Sequence, residues 1–262
     1  MNRPFSTYNG GKNGSGTYQQ IINFIPKVDL FIDAMVGNGG IVTNLSLPGL
    51  TVINDVDKSV IDAYDVTGDT DRIIKLNLDY STVIDRYDGK VLKSLFYFDP
   101  PYLKDTRKSK RNLYAYEWET LDHVKFLTRC SSIQSGVMIS HYPCPLYDDY
   151  LKGWYTHDFK AMTRKGPRTE RIYMNYPRPE VLQDFRYVGD NYRERQRIKR
   201  KIGRFLTRLE TMPEPERIAI LSSAIAKYND ASVLLSSIDK NNIQNLNAVP
   251  GYAGFAGQME LI

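Results

Sequence analysis

Over the first 175 residues, short apolar runs alternate with stretches of helical spacing. Residues 28–32 form an apolar run that ends at Asp33. The glycine-rich turn Gly37-Asn38-Gly39-Gly40 follows, then helix-like sequence to about Leu47. Residues 50–53 are a second apolar run, ending in Asn54-Asp55. Asp57 suits the cap of a helix running through Tyr64, with Val60, Ile61 and Tyr64 on one face. Residues 73–78 read as a third strand, and 94–98, rich in aromatics, as a fourth that ends at Asp99. Residues 120–133 have helical spacing, 136–140 form another buried strand, and 170–175 a late one. Strands separated by helices predict an α/β fold: a Rossmann-like, mostly parallel sheet with helices on both faces. Ligands of such sheets gather at the carboxyl ends of the strands. Asp33, Asp55, Asp79 and Asp99 all fall at or just beyond predicted strand ends, and that shared placement is the first functional signal.

The pattern changes near Pro177-Arg178-Pro179, which reads as a boundary. Beyond it, 191–210 is a basic amphipathic helix containing Arg193, Arg195, Arg197, Lys199, Arg200, Lys201, Arg204 and Arg208. Ile198, Ile202, Phe205, Leu206 and Leu209 form its apolar stripe. A second helix, 214–228, follows Met212-Pro213. The two predict a helical hairpin, packed on one face and basic on the other. The Asn- and Gly-containing tail reads as loop. The expected organisation is 1–180 for the sheet domain, 181–235 for the hairpin and 236–262 for the tail.

Composition narrows the classes. A hydrophobic content of 42% supports an ordinary core. A net charge of +5 and a pI near 9.0 are compatible with a polyanionic partner. Cys130 and Cys144 match no zinc spacing, and His123, His141 and His157 are dispersed, so no metal is expected. Met1-Asn2-Arg3-Pro4-Phe5 lacks the apolar run of a signal peptide, and no apolar stretch approaches a membrane span. A cytoplasmic protein without membrane contact is expected.

The chemistry concentrates in Asp99-Pro100-Pro101-Tyr102. An exocyclic amino group such as adenine N6 is a poor nucleophile, because its lone pair is delocalised into the ring. Two acceptors on its two N–H bonds favour a more tetrahedral nitrogen. The Asp99 carboxylate can be one and the Pro100 carbonyl the other, on a turn that proline stiffens. Tyr102 offers a ring face on which a base, once out of its duplex, can stack. Upstream, Gly37 and Gly39 permit close backbone approach to a ligand, as in any strand–helix turn. Asp55 is placed to accept from ribose hydroxyls, or to cap a helix, a role Asp57 fills equally well. Tyr8-Asn9-Gly10-Gly11-Lys12 supplies a tight turn and a cation, or a simple arm.

Together, in this order, these motifs resemble the Dam-type (D12 class) DNA N6-adenine methyltransferases, over roughly residues 5–176. The resemblance implies S-adenosyl-L-methionine as cofactor. Tyr8 and Lys12 would flank its methionine portion, Asp33 through Gly39 would wrap that portion, Asp55 would bind the ribose, and Asp79 would lie near its adenine. Asp99, Pro100 and Tyr102 would be catalytic. Two departures stand out. Asp33-Ala34-Met35 replaces the family's Glu-Pro-Phe, and the long target-recognition insert before the catalytic strand is missing. A compact form of this kind suits a phage or mobile element, with or without a partner restriction enzyme.

For duplex DNA, with the target adenine flipped out, two basic stretches are candidates. Lys104, Arg107, Lys108, Lys110 and Arg111 follow the catalytic turn. Arg197, Arg200 and Arg204 lie on the basic helix, which could instead be a solvated charged face. Arg164, Lys165 and Arg168 could add a third patch. Tyr114, Tyr116 and Trp118 could stack on bases or anchor their own loop. Adenine in RNA is the second substrate, N4 of cytosine a third (with Ser-Pro-Pro-Tyr the usual turn), and an inert nucleic-acid-binding module the reading from another class.

Overall fold

The computed structural model describes residues 4–5, 11–14, 16–66, 71–107, 116–163 and 166–228. The first compact unit runs to Asn191. Its centre is a seven-stranded sheet of β1 (Leu30–Asp33), β2 (Leu50–Asn54), β3 (Ile73–Leu76), β4 (Ser94–Phe98), β5 (Gly136–His141), β6 (Tyr155–Thr163) and β7 (Gly166–Met174), in the spatial order β3-β2-β1-β4-β5-β7-β6. The first five strands are mutually parallel, whereas β7 runs antiparallel to β5 and pairs with β6 as a hairpin. The Rossmann-like α/β architecture expected from the sequence is therefore present.

Strand alternation explains the two cores. Leu30, Ile32, Phe96 and Phe98 face a layer that includes α3 (Tyr80–Tyr87) through Val83 and Ile84, and α4 (Thr120–Ser131) through Phe126 and Leu127. Phe31, Leu95 and Tyr97 face the opposite layer, where α1 (Thr17–Ile22) contributes Ile21 and Ile22. Because both faces are covered, β1 and β4 are buried along their whole length. Strand order reverses between β1 and β4, which opens a crevice at their carboxyl ends.

Several elements differ from expectation. The helix expected up to Leu47 is a series of turns. Gly39 sits at φ +63°, and the side chains of Thr43 and Asn44 donate to the carbonyls of Gly39 and Gly40 (2.6 and 3.0 Å). These side chains compete for the carbonyls a helix would use. The helix after Asp57 is only α2 (Lys58–Asp62), while α1, α3 and α5 (Pro145–Tyr150) went unseen because each is short. Strand β6 was missed and β7 begins before 170. Of this hairpin Phe159, Ala161, Ile172 and Met174 join the second core and Tyr173 the first, so its outer part carries no apolar alternation.

The first unit also passes the expected boundary at 180. Leu182 bridges to Pro26. Gln183 accepts from Val28 N–H (3.2 Å) and donates to the Ser46 carbonyl (2.9 Å), and Asp184 accepts from Ser46 N–H (2.9 Å). Tyr187 then meets the Tyr18 ring edge-on at 5.5 Å, and Gln20 donates to the Asp190 carbonyl (2.5 Å). Buried polar side chains, invisible to an apolar count, hold this segment down.

The second unit contains α6 (Tyr192–Glu210) and α7 (Glu214–Lys227). Of the two helices only Leu209 is buried. Ile202, Phe205, Ile218 and Ile225 are all more than half exposed, so the expected hairpin is not closed on its apolar face. The tail assigned to 236–262 lies outside the described residues. No helix among the described residues is long and apolar enough to cross a membrane.

Candidate active site

A cleft of about 410 Å³ opens at the carboxyl ends of β1, β2 and β4, within the roughly 300–1,000 Å³ usual for small-molecule sites. Its floor is the glycine turn after β1. Ala34 N–H donates to the Tyr97 carbonyl and Val36 N–H to that of Asn54, which fixes the turn to the neighbouring strands. The Asn54 side chain finishes the tie: its amide donates to the carbonyls of Ala34 and Leu78 (2.9 and 3.0 Å) and accepts from Leu78 N–H (3.0 Å). Gly37 and Gly39 both adopt positive φ. Tyr64 donates to the Gly37 carbonyl at 2.9 Å, and a Cβ on Gly39 would lie 2.4 Å from the Tyr64 hydroxyl. Gly39→Ala is therefore expected to destabilise the fold by about 2–3 kcal/mol, from left-handed backbone strain plus overpacking. Urea unfolding of the single variant and of Gly39→Ala/Tyr64→Phe checks this. The second change should recover only the clash.

The cleft is acidic. Asp33, Asp55, Asp57, Asp79, Asp99, Glu117 and Asp122 line it, and Lys12 is the one basic residue among the described lining residues. Asp55 accepts from Gly37 N–H (2.9 Å) and Asp57 N–H (3.0 Å), while burial raises its carboxyl above the usual range. Asp57, as expected, caps α2 through Ser59, and Asp79 caps α3 by accepting from Ser81 (2.8 Å). Asp33 is different: it is buried, and its Oδ1 has no hydrogen-bond partner among the described residues. Burial first, then the charges of Asp99 and Asp55, push its carboxyl well up. A raised folded value means its favourable contribution is present at low pH and lost as pH rises through that value. Asp33→Asn should thus stabilise the ligand-free protein by about 1–3 kcal/mol at pH 8. The gain should shrink as pH falls, read by denaturant melts at several pH values.

Beside the cleft, β4 delivers Asp99. Lys12 Nζ lies 2.7 Å from each of its carboxylate oxygens, and Ser140 Oγ donates to Oδ1 at 2.9 Å. The Tyr97 hydroxyl is 3.0 Å from Ser140 Oγ, so β4 and β5 hold Asp99 jointly. Pro100 and Pro101 line the cleft. Tyr102 is buried: its hydroxyl donates to Glu170 Oε2 at 3.3 Å, Lys12 Nζ is 4.8 Å from its ring centre, and Tyr142 meets it edge-on at 4.5 Å. His141 Nε2 accepts from Leu103 N–H (2.9 Å), fixing the chain just after the motif, and its Nδ1 lies 2.7 Å from the Tyr142 carbonyl. Burial lowers His141 to about 3, so it stays neutral. Glu170, Ser140, His141 and Asn54 were not singled out from the sequence. For Ser140, His141 and Asn54 the only signal is a polar residue near the end of a buried strand; Glu170, midway along β7, carries none.

Lys12 thus lies on the Asp99 carboxylate and also lines the cleft. Tyr8, Lys108, Lys110, Arg111, Tyr114, Arg164 and Lys165 lie outside the described residues. Of the basic residues expected at nucleic acid, Arg107 is a correction. It is buried and paired bidentately with Glu117 (3.0 and 2.9 Å), so its guanidinium faces a carboxylate instead of solvent. Lys104 is partly exposed and pairs with Glu119 at 2.5 Å. Arg168 donates to the Thr106 carbonyl (2.5 Å) and stacks over Tyr142. Arg197, Arg200 and Arg204 lie on α6. Arg197 is 3.4 Å from Glu194, and Arg200 donates to the Gln196 carbonyl. Trp118 packs on Tyr80, His123 and Phe126, which is the anchoring role, whereas Tyr116 is half-exposed and lines the cleft. Cys130 and Cys144 are buried free thiols.

No family model and no curated protein matches the chain. Among solved structures, a SAM-dependent methyltransferase from Agrobacterium tumefaciens aligns at 15% identity over 60% of this chain and 59% of that chain (TM-score 0.38). A precorrin 8W decarboxylase from Methanobacterium thermoautotrophicum aligns at 7% over 60% and 87% (TM-score 0.37), and an rRNA methylase from Streptococcus thermophilus at 14% over 60% and 92% (TM-score 0.36). Overlaps this partial say nothing of reaction or substrate, which rest on the site itself.

Proposed function

We propose that the chain is an S-adenosylmethionine-dependent methyltransferase acting on the N6 amino group of adenine in DNA. The observation that carries this is the junction of an acidic, glycine-floored cleft with a carboxylate, Asp99, beside a buried tyrosine ring. The fit to the cofactor rests on charge. A cleft lined by so many carboxylates repels the phosphates of a dinucleotide and favours a cation bearing hydroxyls. Asp33, with its unpartnered buried oxygen, suits the cofactor's ammonium, and such a ligand would hold that carboxyl ionised. Asp55 suits the ribose hydroxyls. Gly37 and Gly39 keep the floor free of side chains, and Asp79 with Tyr80 and Trp118 borders the opposite end. When bound, the cofactor supplies a methyl group on a positively charged sulfur.

The chain's own residues do the rest. Asp99 accepts one N–H of the target amino group and the Pro100 carbonyl the other, which localises the nitrogen lone pair. Tyr102 stacks on the flipped base. The proton lost from the methylated nitrogen leaves along its hydrogen bond to Asp99 and on to solvent. Arg197, Arg200 and Arg204 on α6 neutralise phosphates, and so, separately, does Lys104 of the sheet unit; such contacts give affinity without sequence information. The missing recognition insert leaves little surface for reading bases. The test is incubation with methyl-labelled cofactor and either duplex DNA or duplex RNA, followed by digestion to nucleosides. N6-methyldeoxyadenosine is expected. Label confined to RNA, or to cytosine, would overturn the assignment of substrate, and label in neither would overturn the enzyme.

A further inference from the structure

Lys12 makes two of the contacts that the proposed target adenine would make. Its nitrogen donates to Asp99, and it lies over the Tyr102 ring. We propose that the Lys12 ammonium stands in for the target amino group, filling the acceptor site of Asp99 until a base enters, and then hands that site over by moving to Glu170. The inference rests on the reading of Asp99 as an amino-group acceptor.

Three observations support it. First, occupancy: one ammonium takes both oxygens of Asp99 at 2.7 Å, and Ser140 takes a second position on Oδ1. Three of the carboxylate's roughly four acceptor positions are thus taken, and Lys12 Nζ also lies 4.8 Å from the Tyr102 ring centre, on the face where a base would stack, so an entering base displaces it. Second, the placement is built in. Only 4% of the Lys12 side chain is exposed. A Cβ on Gly40 would lie 3.0 Å from the Lys12 Cβ and 3.1 Å from its backbone, so the glycine turn makes room for this lysine. Third, a destination exists. Glu170 is buried on β7, across Tyr102, whose hydroxyl reaches it only at 3.3 Å. Burial pushes its carboxyl up and Lys12 pulls it down, so the two already sense each other. A flexible four-carbon stem can swing between the two carboxylates without returning the charge to water. Glu170 is then a positioning residue, acting on the base through Lys12.

The test uses adenosine as probe, titrated calorimetrically into the full chain saturated with S-adenosylhomocysteine, which fills the cofactor part of the cleft. A site that must first be vacated binds more weakly, by the fraction of molecules in which it is open. Lys12→Met should therefore bind adenosine about tenfold more tightly, and Lys12→Arg should return to the wild-type value. Glu170→Gln, which keeps the side chain's volume, should bind about tenfold more weakly. It should have no further effect in the Lys12→Met background. Weaker binding by Lys12→Met, an equal effect of Glu170→Gln with and without Lys12, or no binding by any of these proteins would overturn the handover. Were Lys12→Met not to fold, Glu170→Gln alone decides: unchanged affinity would overturn it. Failure of the methylation assay leaves this titration readable, so the two readings fail separately.

Discussion

Asp99→Ala is expected to lower methyl transfer to adenine by at least about 10²–10³-fold, the usual cost of removing one group that stabilises developing charge. Cofactor affinity should stay within a few-fold. The geometry separates the two effects. Asp99 is held by Lys12 and Ser140, whereas the glycine turn is held by Asn54, Tyr64 and Asp55. Asp99 acts on Asp33 through its charge, which helps to raise that carboxyl. Its removal should ease the ionisation of Asp33 and, if anything, favour a cationic ligand. Turnover on unmethylated plasmid DNA, together with calorimetric titration of the cofactor, checks both halves. Loss of both together would place Asp99 in the cofactor site.

The largest effect on stability is expected at Arg107. Both partners of the Arg107–Glu117 pair are buried, and breaking such a pair strands a charge, at about 3–5 kcal/mol. Arg107→Met should cost that much in urea unfolding. Arg107→Met/Glu117→Leu should recover most of it, because an apolar pair of similar volume replaces the ionic one. A loss under about 1 kcal/mol would mean that the pair behaves as a surface ion pair. Glu117 and Trp118 line the cleft, so the single variant should also loosen that wall, which the double variant preserves.

Arg107 shows what sequence leaves illegible. A basic run after Asp-Pro-Pro-Tyr looks like a phosphate grip, and nothing local reports that Glu117, ten residues on, pairs with one of its members. Glu170 and Ser140 were hidden similarly, since their meaning depends on β5 and β7 lying beside β4. Legible features were those whose signal is local and periodic. The run 94–98 matched β4 residue for residue, and the acids at strand ends converged on one cleft because strand ends in a parallel sheet must share an edge. The glycine turn was legible as a turn. Its continuation as a helix was not borne out: the Asn44 side chain takes the Gly40 carbonyl while Asn44 N–H turns to that of Ile41.

The segment after Pro179 has a consequence for how the chain could be rewired. Tyr187 and Asp190 come to rest against Tyr18 and Gln20 of the first helix, so the sheet unit closes back on that helix, while Phe5, nearer its start, is held at Asn38 (2.9 Å). The turn between α3 and β4, where Leu92 is 97% exposed, leads into the amino end of β4, away from the cleft at the carboxyl ends. Joining the end of the unit to its start, with a linker long enough to run from Asp190 past the first helix to Phe5, and opening new ends in that turn gives a circular permutant that keeps every strand pairing. In that order Asp99 would come near the start of the polypeptide and Lys12 far down it, with the same two side chains meeting in space.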